Sequence, residues 1–163
     1  MKILERGLIH DASNRGDEDR VAFFDSLFPA SDGTDYSLFQ VGDCKHSANS
    51  NLRICRSSDG RCTWRELAWR FDTVIDDVPG SVATGELFEP EPGRLMLISL
   101  WFDRSHPERP LFNPETEGVL PSRVLKAESS DRGESWSDWE PISMSAELSG
   151  IALTGPILEW EDG

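Results

Sequence analysis

The chain has little that would suit it to a membrane, a nucleic acid or a secretory route. Its formal net charge is −14, from 30 acidic and 16 basic residues, so long-range attraction to phosphate backbones or anionic lipids is not expected. No apolar stretch is long enough to cross a bilayer. Residues 1–20 carry charges inside their one short apolar run, which is not the uninterrupted core of a signal peptide. These absences predict a cytoplasmic protein whose partners are neither nucleic acids nor membranes.

Metal-binding and disulfide patterns are also missing. The three cysteines, Cys44, Cys55 and Cys62, form neither an even set nor a closely spaced metal-type pair. The three histidines are too scattered along the chain to suggest zinc. We predict free thiols in a reducing compartment, with a Cys44–Cys55 bridge as the alternative, and we expect neither a metal ion nor another cofactor.

Helical periodicity is weak, and the most periodic runs are typical of strands. The first unit consists of strand VAFFDSLFPA, the hairpin signal Ser31-Asp32-Gly33, strand YSLFQVG, the polar loop DCKHSANS, and strands NLRICRS and TWRELAWRF. Four successive strands of this length are expected to pair as an antiparallel meander.

The same order then returns. The second unit consists of a strand at 81–88, the turn Glu91-Pro92-Gly93, strand RLMLISLWF, the loop DRSHPERPLFNPETEGVLP, and strands SRVLKAES and SDWEPIS. Both alternating faces of RLMLISLWF are apolar, so both should be buried. A third unit starts at about residue 151 and reaches Asp162-Gly163, where a second strand would be expected to follow. We therefore predict either the N-terminal part of a longer protein or self-association through open sheet edges.

Each unit carries the same turn between its third and fourth strands: SSDGRCTW at 57–64, the first box, and SSDRGESW at 129–136, the second box. Ser129 and Asp131 can bond back to the backbone of the turn, and Gly133 can take a positive φ. These aspartates are thus expected to shape turns rather than act as catalytic acids. In the first box the glycine stands one place early, at Gly60, so we expect a looser turn. Repeated four-stranded units are typical of an all-β β-propeller, in which about four to eight blades close a ring.

The second box matches the bacterial neuraminidase repeat, or Asp box, of pattern Ser-x-Asp-x-Gly-x-Ser/Thr-Trp, and the first box resembles a degenerate copy. With the order of hairpins and loops, residues 20–163 resemble the opening blades of sialidases and other Asp-box glycosidases. The resemblance implies a partial, six-bladed-type propeller with four-stranded antiparallel blades. Blade one would span about 20–71, blade two about 81–143, and the start of blade three about 151–163. It also implies a glycoside hydrolase that acts on a glycan.

The catalytic residues of this family match the sequence poorly. The family's Arg-Ile-Pro, in the innermost strand of the first blade, falls near Phe24, where no such motif stands, and Arg20 is the nearest arginine. The acid/base Asp corresponds to residues 42–51, which offer Asp43 and His46. The family's nucleophilic Tyr and its Glu partner belong to later blades. The resemblance does not support a true sialidase, and this chain alone is expected to be inactive.

The strand order by itself also indicates a site. In a meander, the second loop and the link to the next blade share one edge, so the loops 43–51 and 103–121 should lie together with the linker 72–81. Loops on a rigid scaffold commonly carry binding residues. A carboxylate beside an imidazole can transfer protons, and arginine can bind a carboxylate in two-pronged fashion. The candidate catalytic residues are His46 and Asp43, and the candidate substrate-binding residues are Lys45, Arg104, Arg109 and Arg20.

Three functions remain open at this level, beside the simpler interpretation that these polar loops are only solvated. One is a sialidase-like glycosidase, one is a non-catalytic propeller that binds carbohydrate or protein, and one is a polysaccharide lyase with His46 as base. The tryptophans are predicted to pack between blades rather than to act as sugar platforms. They are Trp64, Trp69, Trp101, Trp136 and Trp139.

Overall fold

The computed structural model describes residues 6–144 except 14, 17–18 and 68–69, together with residues 153, 155 and 157. Their regular structure is all β: β1 (Val21–Pro29), β2 (Asp35–Gly42), β3 (Asn51–Ser57), β4 (Arg65–Glu66), β5 (Gly80–Glu91), β6 (Arg94–Asp103), β7 (Ser122–Ser129) and β8 (Glu140–Pro141). These strands form two antiparallel sheets in the orders β1-β2-β3-β4 and β5-β6-β7-β8. The predicted all-β fold of two four-stranded meanders is confirmed.

Some predictions fall on other parts of the chain. Trp69 and most of the expected third unit, 151–163, lie outside the described residues. Within the part of the chain that is described, no helix has the length and apolarity needed to span a membrane.

The fourth strand of each sheet is shorter than the sequence predicts. β4 pairs with β3 through Arg65 and Glu66, whereas the sequence suggested a strand through TWRELAWRF. β8 pairs with β7 through Glu140 and Pro141, and Pro141 has no N–H to donate to a ladder. The outer edge of each sheet therefore has only a brief pairing, which is one way to limit edge-to-edge association.

The two sheets pack against each other through an apolar core. β2 and β3 contribute Tyr36, Leu38, Leu52 and Ile54, and the second sheet contributes Leu97, Trp101, Leu125 and Trp136, among others. Backbone and hydroxyl groups join the sheets as well, since Val82 N–H donates to Ser50 O at 3.2 Å and Ser50 Oγ donates to Val82 O at 3.1 Å. Both faces of β6 were predicted to be buried, and the structure agrees at Trp101 and Phe102. Trp101 lies in the core between the sheets, and Phe102 lies in a second apolar cluster on the far face of the same sheet.

At the start of β5, the Trp101 indole lies so close to the backbone that the position requires a glycine. A Cβ at Gly80 would lie 1.8 Å from Nε1 of Trp101, so any larger residue would displace the indole. The indole Nε1–H donates to Thr73 O at 2.8 Å, which attaches the linker between the sheets to β6. This part of the linker is consequently fixed against the second sheet.

The two boxes fold into the same turn. Ser129 Oγ accepts from Gly133 N–H at 2.8 Å, and the carboxylate of Asp131 accepts from Ser135 N–H at 2.9 Å. In the first box, the equivalent bonds run from Arg61 N–H to Ser57 Oγ and from Thr63 N–H to Asp59, at 3.0 and 2.9 Å. The Thr63 hydroxyl and backbone N–H lower the pKa of Asp59 to about 2.

The expected looser turn in the first box is therefore wrong. Two successive residues take a positive φ in each box, namely Gly60 and Arg61 in the first and Arg132 and Gly133 in the second. A single glycine can stand at either position, and an arginine occupies the other. Moving the glycine by one place changes which residue carries the strain and leaves the hydrogen bonds intact.

The outer face of the first sheet is covered by residues near the start of the chain. Phe39, Val41 and Cys55 form a small cluster there, against which Trp64 packs, and the His10 ring lies 4.9 Å from the Phe39 ring. The tryptophans were predicted to pack between the sheets. This prediction holds for Trp101 and Trp136, whereas Trp64 packs on the outer face of the first sheet.

The three cysteines are free thiols, and no Cys44–Cys55 bridge is present. Burial, with a smaller effect from Glu66, raises the pKa of the Cys55 thiol to about 11. This thiol is protonated at neutral pH and donates weakly to Ile9 O.

We predict that Ser129→Ala lowers the free energy of unfolding by about 1–3 kcal/mol, because the change leaves the buried Gly133 N–H without its acceptor. Urea denaturation followed by tryptophan fluorescence measures this. The matched control is Ser130→Ala, at the exposed neighbour, which should change stability by less than about 0.5 kcal/mol. Equal effects of the two substitutions would contradict the assigned turn geometry.

Candidate functional site

The long loops of the two sheets meet at one edge and enclose a pocket of about 500 Å³. The short turns lie at the opposite edge, where Arg132 of the second box pairs with Asp32 of the first hairpin at 3.4 Å. The pocket lies between residues 43–48 of the first sheet and 104–112 of the second. The edge predicted from the strand order is therefore where the structure has a concave surface between two loops.

Five of the six residues singled out in the sequence line this pocket. They are Asp43, Lys45, His46, Arg104 and Arg109. The sixth, Arg20, is exposed and immediately precedes β1, whose first residue pairs with Gly42. Arg20 thus lies at the same edge of the sheet without lining the pocket.

The loop that carries His46 is fixed by local contacts. A Cβ at Gly42 would lie 2.2 Å from Ser47 Oγ, so a larger residue would force the Ser47 hydroxyl to move. The loop is closed by bonds from Ser47 N–H to Cys44 O and from Asp43 N–H to Asn49 Oδ1, at 3.2 and 3.3 Å. His46 itself has a φ of +63°, a conformation that few non-glycine residues adopt.

Arg104 joins the two loops from the second sheet. Its Nε–H donates to Ser81 Oγ at 2.8 Å, and its Nη2 donates to His46 O at 3.0 Å and to Ser47 O at 3.4 Å. The side chain is only 5% exposed, and this burial lowers the pKa of its guanidinium. None of the described carboxylates forms an ion pair with it, so the pocket wall holds a buried positive charge without a counterion.

His46 lies among aromatic rings and cations. Its ring centroid is 5.3 Å from that of Phe112 and 5.8 Å from that of Phe24. Burial first, and then the charges of Lys45 and Arg104, lower the pKa of His46 below its usual 6.5. The imidazole is therefore neutral at pH 7, and it can accept a proton.

The expected hydrogen-bonded pair of Asp43 and His46 is not formed. Among the described residues no hydrogen bond joins the two side chains, and Nδ1 of His46 is buried without a partner. The carboxylate of Asp43 instead bonds to the neighbouring Cys44, which raises the pKa of that thiol. Asp43 is exposed at the mouth of the pocket, and it does not orient the imidazole.

Other polar residues of this edge form surface pairs. His106 is within 3.5 Å of Glu108, and Arg123 pairs with Asp76 at 2.5 Å. Across the described parts of the chain, no three His, Cys, Asp or Glu side chains come together as a metal ion would require.

The phenylalanines in and beside the pocket were not singled out as site residues from the sequence, and neither was Ser81, which positions Arg104. The adjacent phenylalanines Phe23 and Phe24 of β1 were an available signal. Because adjacent strand residues point to opposite faces, two neighbouring rings cannot both point into one core. Nothing in the sequence brings Phe112 to His46, since the two residues lie in loops of different sheets. The contact of Ser81 with Arg104 did have a signal, because the β5–β6 hairpin pairs Ser81 with Phe102.

Comparison with known proteins identifies the fold. No protein-family model matches the sequence, and no curated protein matches it significantly. A Hadza microbial sialidase is similar in structure with a TM-score of 0.58 and 18% identity, covering 77% of this chain and 26% of that chain. The intramolecular trans-sialidase from Ruminococcus gnavus gives a TM-score of 0.57 and 12% identity, covering 82% of this chain and 50% of that one.

These likenesses show a sialidase-like β-propeller fold, and at this level of identity they show the fold alone. The chain spans between a quarter and half of the length of the two sialidases that it resembles. Two open four-stranded sheets are consistent with part of such a propeller.

The lowered pKa of His46 predicts a pH dependence of stability. Below about pH 6.5 the unfolded chain takes up a proton at His46 that the folded chain does not yet bind. Above about pH 6.5 His46 is neutral in both states and does not affect stability. As the pH falls below about 6.5, the additional proton bound by the unfolded chain lowers the free energy of unfolding. His46→Asn, which keeps a residue tolerant of positive φ, should make stability between pH 5 and 6.5 less dependent on pH.

The titration can be followed directly from the imidazole C–H resonances of His46. Lys45→Gln should move the pKa of His46 upward, because it removes one of the repelling charges. A midpoint at or above 6.5 in the unmodified chain would contradict the assigned burial of the imidazole.

Proposed function

We propose that this chain supplies part of the substrate-binding face of a sialidase-like glycoside hydrolase, and that its pocket binds an acidic group of a glycan. The observation that carries the proposal is the gathering of Lys45, Arg104 and Arg109 in one pocket on a chain of net charge −14. Asp43 and Glu108 also line the pocket, but none of the three cations forms an ion pair with a described carboxylate, so in a strongly acidic protein they offer a local site for an anion.

Most of the other described arginines form ion pairs with carboxylates. Arg53 pairs with Asp19, Arg61 with Asp35 and Arg123 with Asp76. In the described part of the chain, neither Arg104 nor Arg109 has a carboxylate within ion-pair distance. A buried charge is costly unless it is paired, and a bound anionic ligand would supply the missing partner.

The hydrogen bonds of Arg104 leave part of its guanidinium available. Nε and Nη2 donate to Ser81, His46 and Ser47, while Nη1 has no hydrogen-bond partner among the described residues. Arg109 and Lys45 are exposed on the walls of the same pocket. A carboxylate could thus accept from Arg104 at the base of the pocket and from the two flexible cations above it.

His46 is the candidate proton-transfer group of this chain. With its pKa lowered, it would act as a base rather than as an acid at neutral pH. Hydrolysis of a glycosidic bond needs two groups that flank the bond, and the carboxylates that line the pocket beside His46 are Asp43 and Glu108. We propose that further parts of a complete propeller provide the remaining groups.

True sialidase activity is not part of this proposal, because β1 carries phenylalanines where the family's Arg-Ile-Pro would be expected. The second candidate is a non-catalytic propeller that binds glycan. It is favoured by the buried, unpartnered Nδ1 of His46, since a catalytic imidazole is ordinarily oriented by a hydrogen bond to its other nitrogen.

We predict that the chain binds acidic oligosaccharides more tightly than matched neutral ones. Isothermal titration with a sialylated trisaccharide, an oligogalacturonide and a neutral trisaccharide tests this, and binding to the acidic probes should weaken as salt increases. Arg109→Ala should weaken acidic binding about tenfold, the effect of one charged hydrogen bond. The matched control is Arg94→Ala, an exposed arginine near the opposite edge, which should leave binding unchanged.

Product analysis separates the functional classes. Release of reducing ends would indicate hydrolysis, whereas new ultraviolet absorbance from an unsaturated uronate would indicate a lyase with His46 as base. Binding without either product would favour the non-catalytic propeller. Equal affinity for acidic and neutral probes would refute the proposed recognition of an acid group.

A further inference from the structure

A series of aromatic rings enters the pocket and continues beside it, and recognition of an acid group does not explain this series. Phe23 and Phe24 from β1, His46 from the first loop and Phe112 from the second loop form a continuous series of ring contacts, with centroids 5.3 to 6.3 Å apart. Phe24 is 44% exposed and Phe112 is 49% exposed. Two large apolar rings are thus presented to solvent from different sheets, on either side of one imidazole.

The backbone of Phe24 has a strained conformation, which indicates that the rest of the structure holds this residue in place. The pairing of β1 with β2 shifts between Phe23 and Ser26, so Phe24 lies in a β-bulge, and its φ is +54°. Bulky residues rarely adopt this conformation, and the strain has to be compensated by the rest of the structure. Bulges re-aim side chains and occur frequently beside active sites. Here the bulge holds the Phe24 ring near His46 rather than in the core.

The aromatic series adjoins the cations of the pocket, although Phe23 and Phe24 do not line it themselves. His46, Phe112, Arg104 and Arg109 all line it, and Nζ of Lys45 lies 5.5 Å from the centroid of the Phe24 ring. A ligand that contacts both the rings and the cations needs an apolar face and an anionic group. The pocket volume of about 500 Å³ is in the range of small-ligand sites.

We propose that Phe24 and Phe112, on either side of His46, form a stacking subsite for the C–H face of an acidic pyranose ring. The acid group of the same ligand would then reach Lys45, Arg104 and Arg109. This inference rests on the proposed function and adds to it a specific subsite and the ligand class, a pyranoside with a carboxylate. An extended, fully polar polyanion has no apolar face, so it would not use the rings.

Saturation-transfer NMR tests the contact, with the sialylated trisaccharide and the oligogalacturonide as probes. In the unmodified chain, saturation of the phenylalanine rings should pass most strongly to the ring C–H protons of the acidic sugar. Phe112→Leu should weaken binding about three- to tenfold, because it keeps an apolar side chain and removes the ring, whereas Phe112→Tyr should retain affinity.

Phe24→Gly separates binding from folding. Glycine accepts the positive φ without strain, so this variant should be at least as stable as the unmodified chain in thermal unfolding while it binds the probes about three- to tenfold more weakly. A purely structural role of Phe24 would give a less stable protein instead. The matched control is Leu27→Ala, at an apolar residue of the same strand that is 47% exposed, which should leave affinity unchanged.

The outcomes distinguish this subsite from the function on which it rests. If the unmodified chain binds the acidic probes and neither Phe24→Gly nor Phe112→Leu weakens binding, the stacking subsite is wrong and the recognition of an acid group stands. If the unmodified chain binds neither acidic probe, both are wrong. Saturation transfer to the acidic ring that is lost in both variants would support the subsite.

Discussion

The packing of one sheet against the other is the constraint on which the rest of the structure depends. Each sheet buries one face in the shared apolar core, and neither has enough strands to bury that face alone. Hydrogen bonds between Ser50 and Val82 fix the relative position of the sheets, and Gly80 allows the Trp101 indole to approach the linker. Because the sheets are held in this position, the loops that leave them at one edge must meet.

Arg104 links this packing to the chemistry of the pocket. Its hydrogen bonds to Ser81, His46 and Ser47 hold the first loop against the second sheet, and its charge helps to keep the His46 imidazole neutral. The same side chain therefore supports the loop, adds to the lowering of the His46 pKa and contributes a positive charge to the pocket. A single buried cation with three acceptors and no carboxylate partner is the feature on which the proposed binding of an anion depends.

Much of the fold could be predicted from local signals. The third strand of each sheet has the predicted limits, Asn51–Ser57 and Ser122–Ser129, because alternating side chains and box residues mark both ends. The fourth strands were predicted too long, since their pairing depends on neighbours that lie elsewhere in the chain. For the pocket, loop placement followed from strand order, whereas the contacts of Phe24 and Phe112 with His46 did not, because they join three separate segments.

The sequence by itself determined the all-β repeat, the two box turns and the edge at which the long loops lie. These features depend on interactions within a few residues or between adjacent strands, so a pattern of residue types is sufficient to specify them. Only the tertiary structure decided that the His46 imidazole packs among Phe24 and Phe112 instead of pairing with Asp43, and that Arg104 is buried between the loops. Those outcomes depend on distances between segments remote in the chain, which residue type alone does not fix.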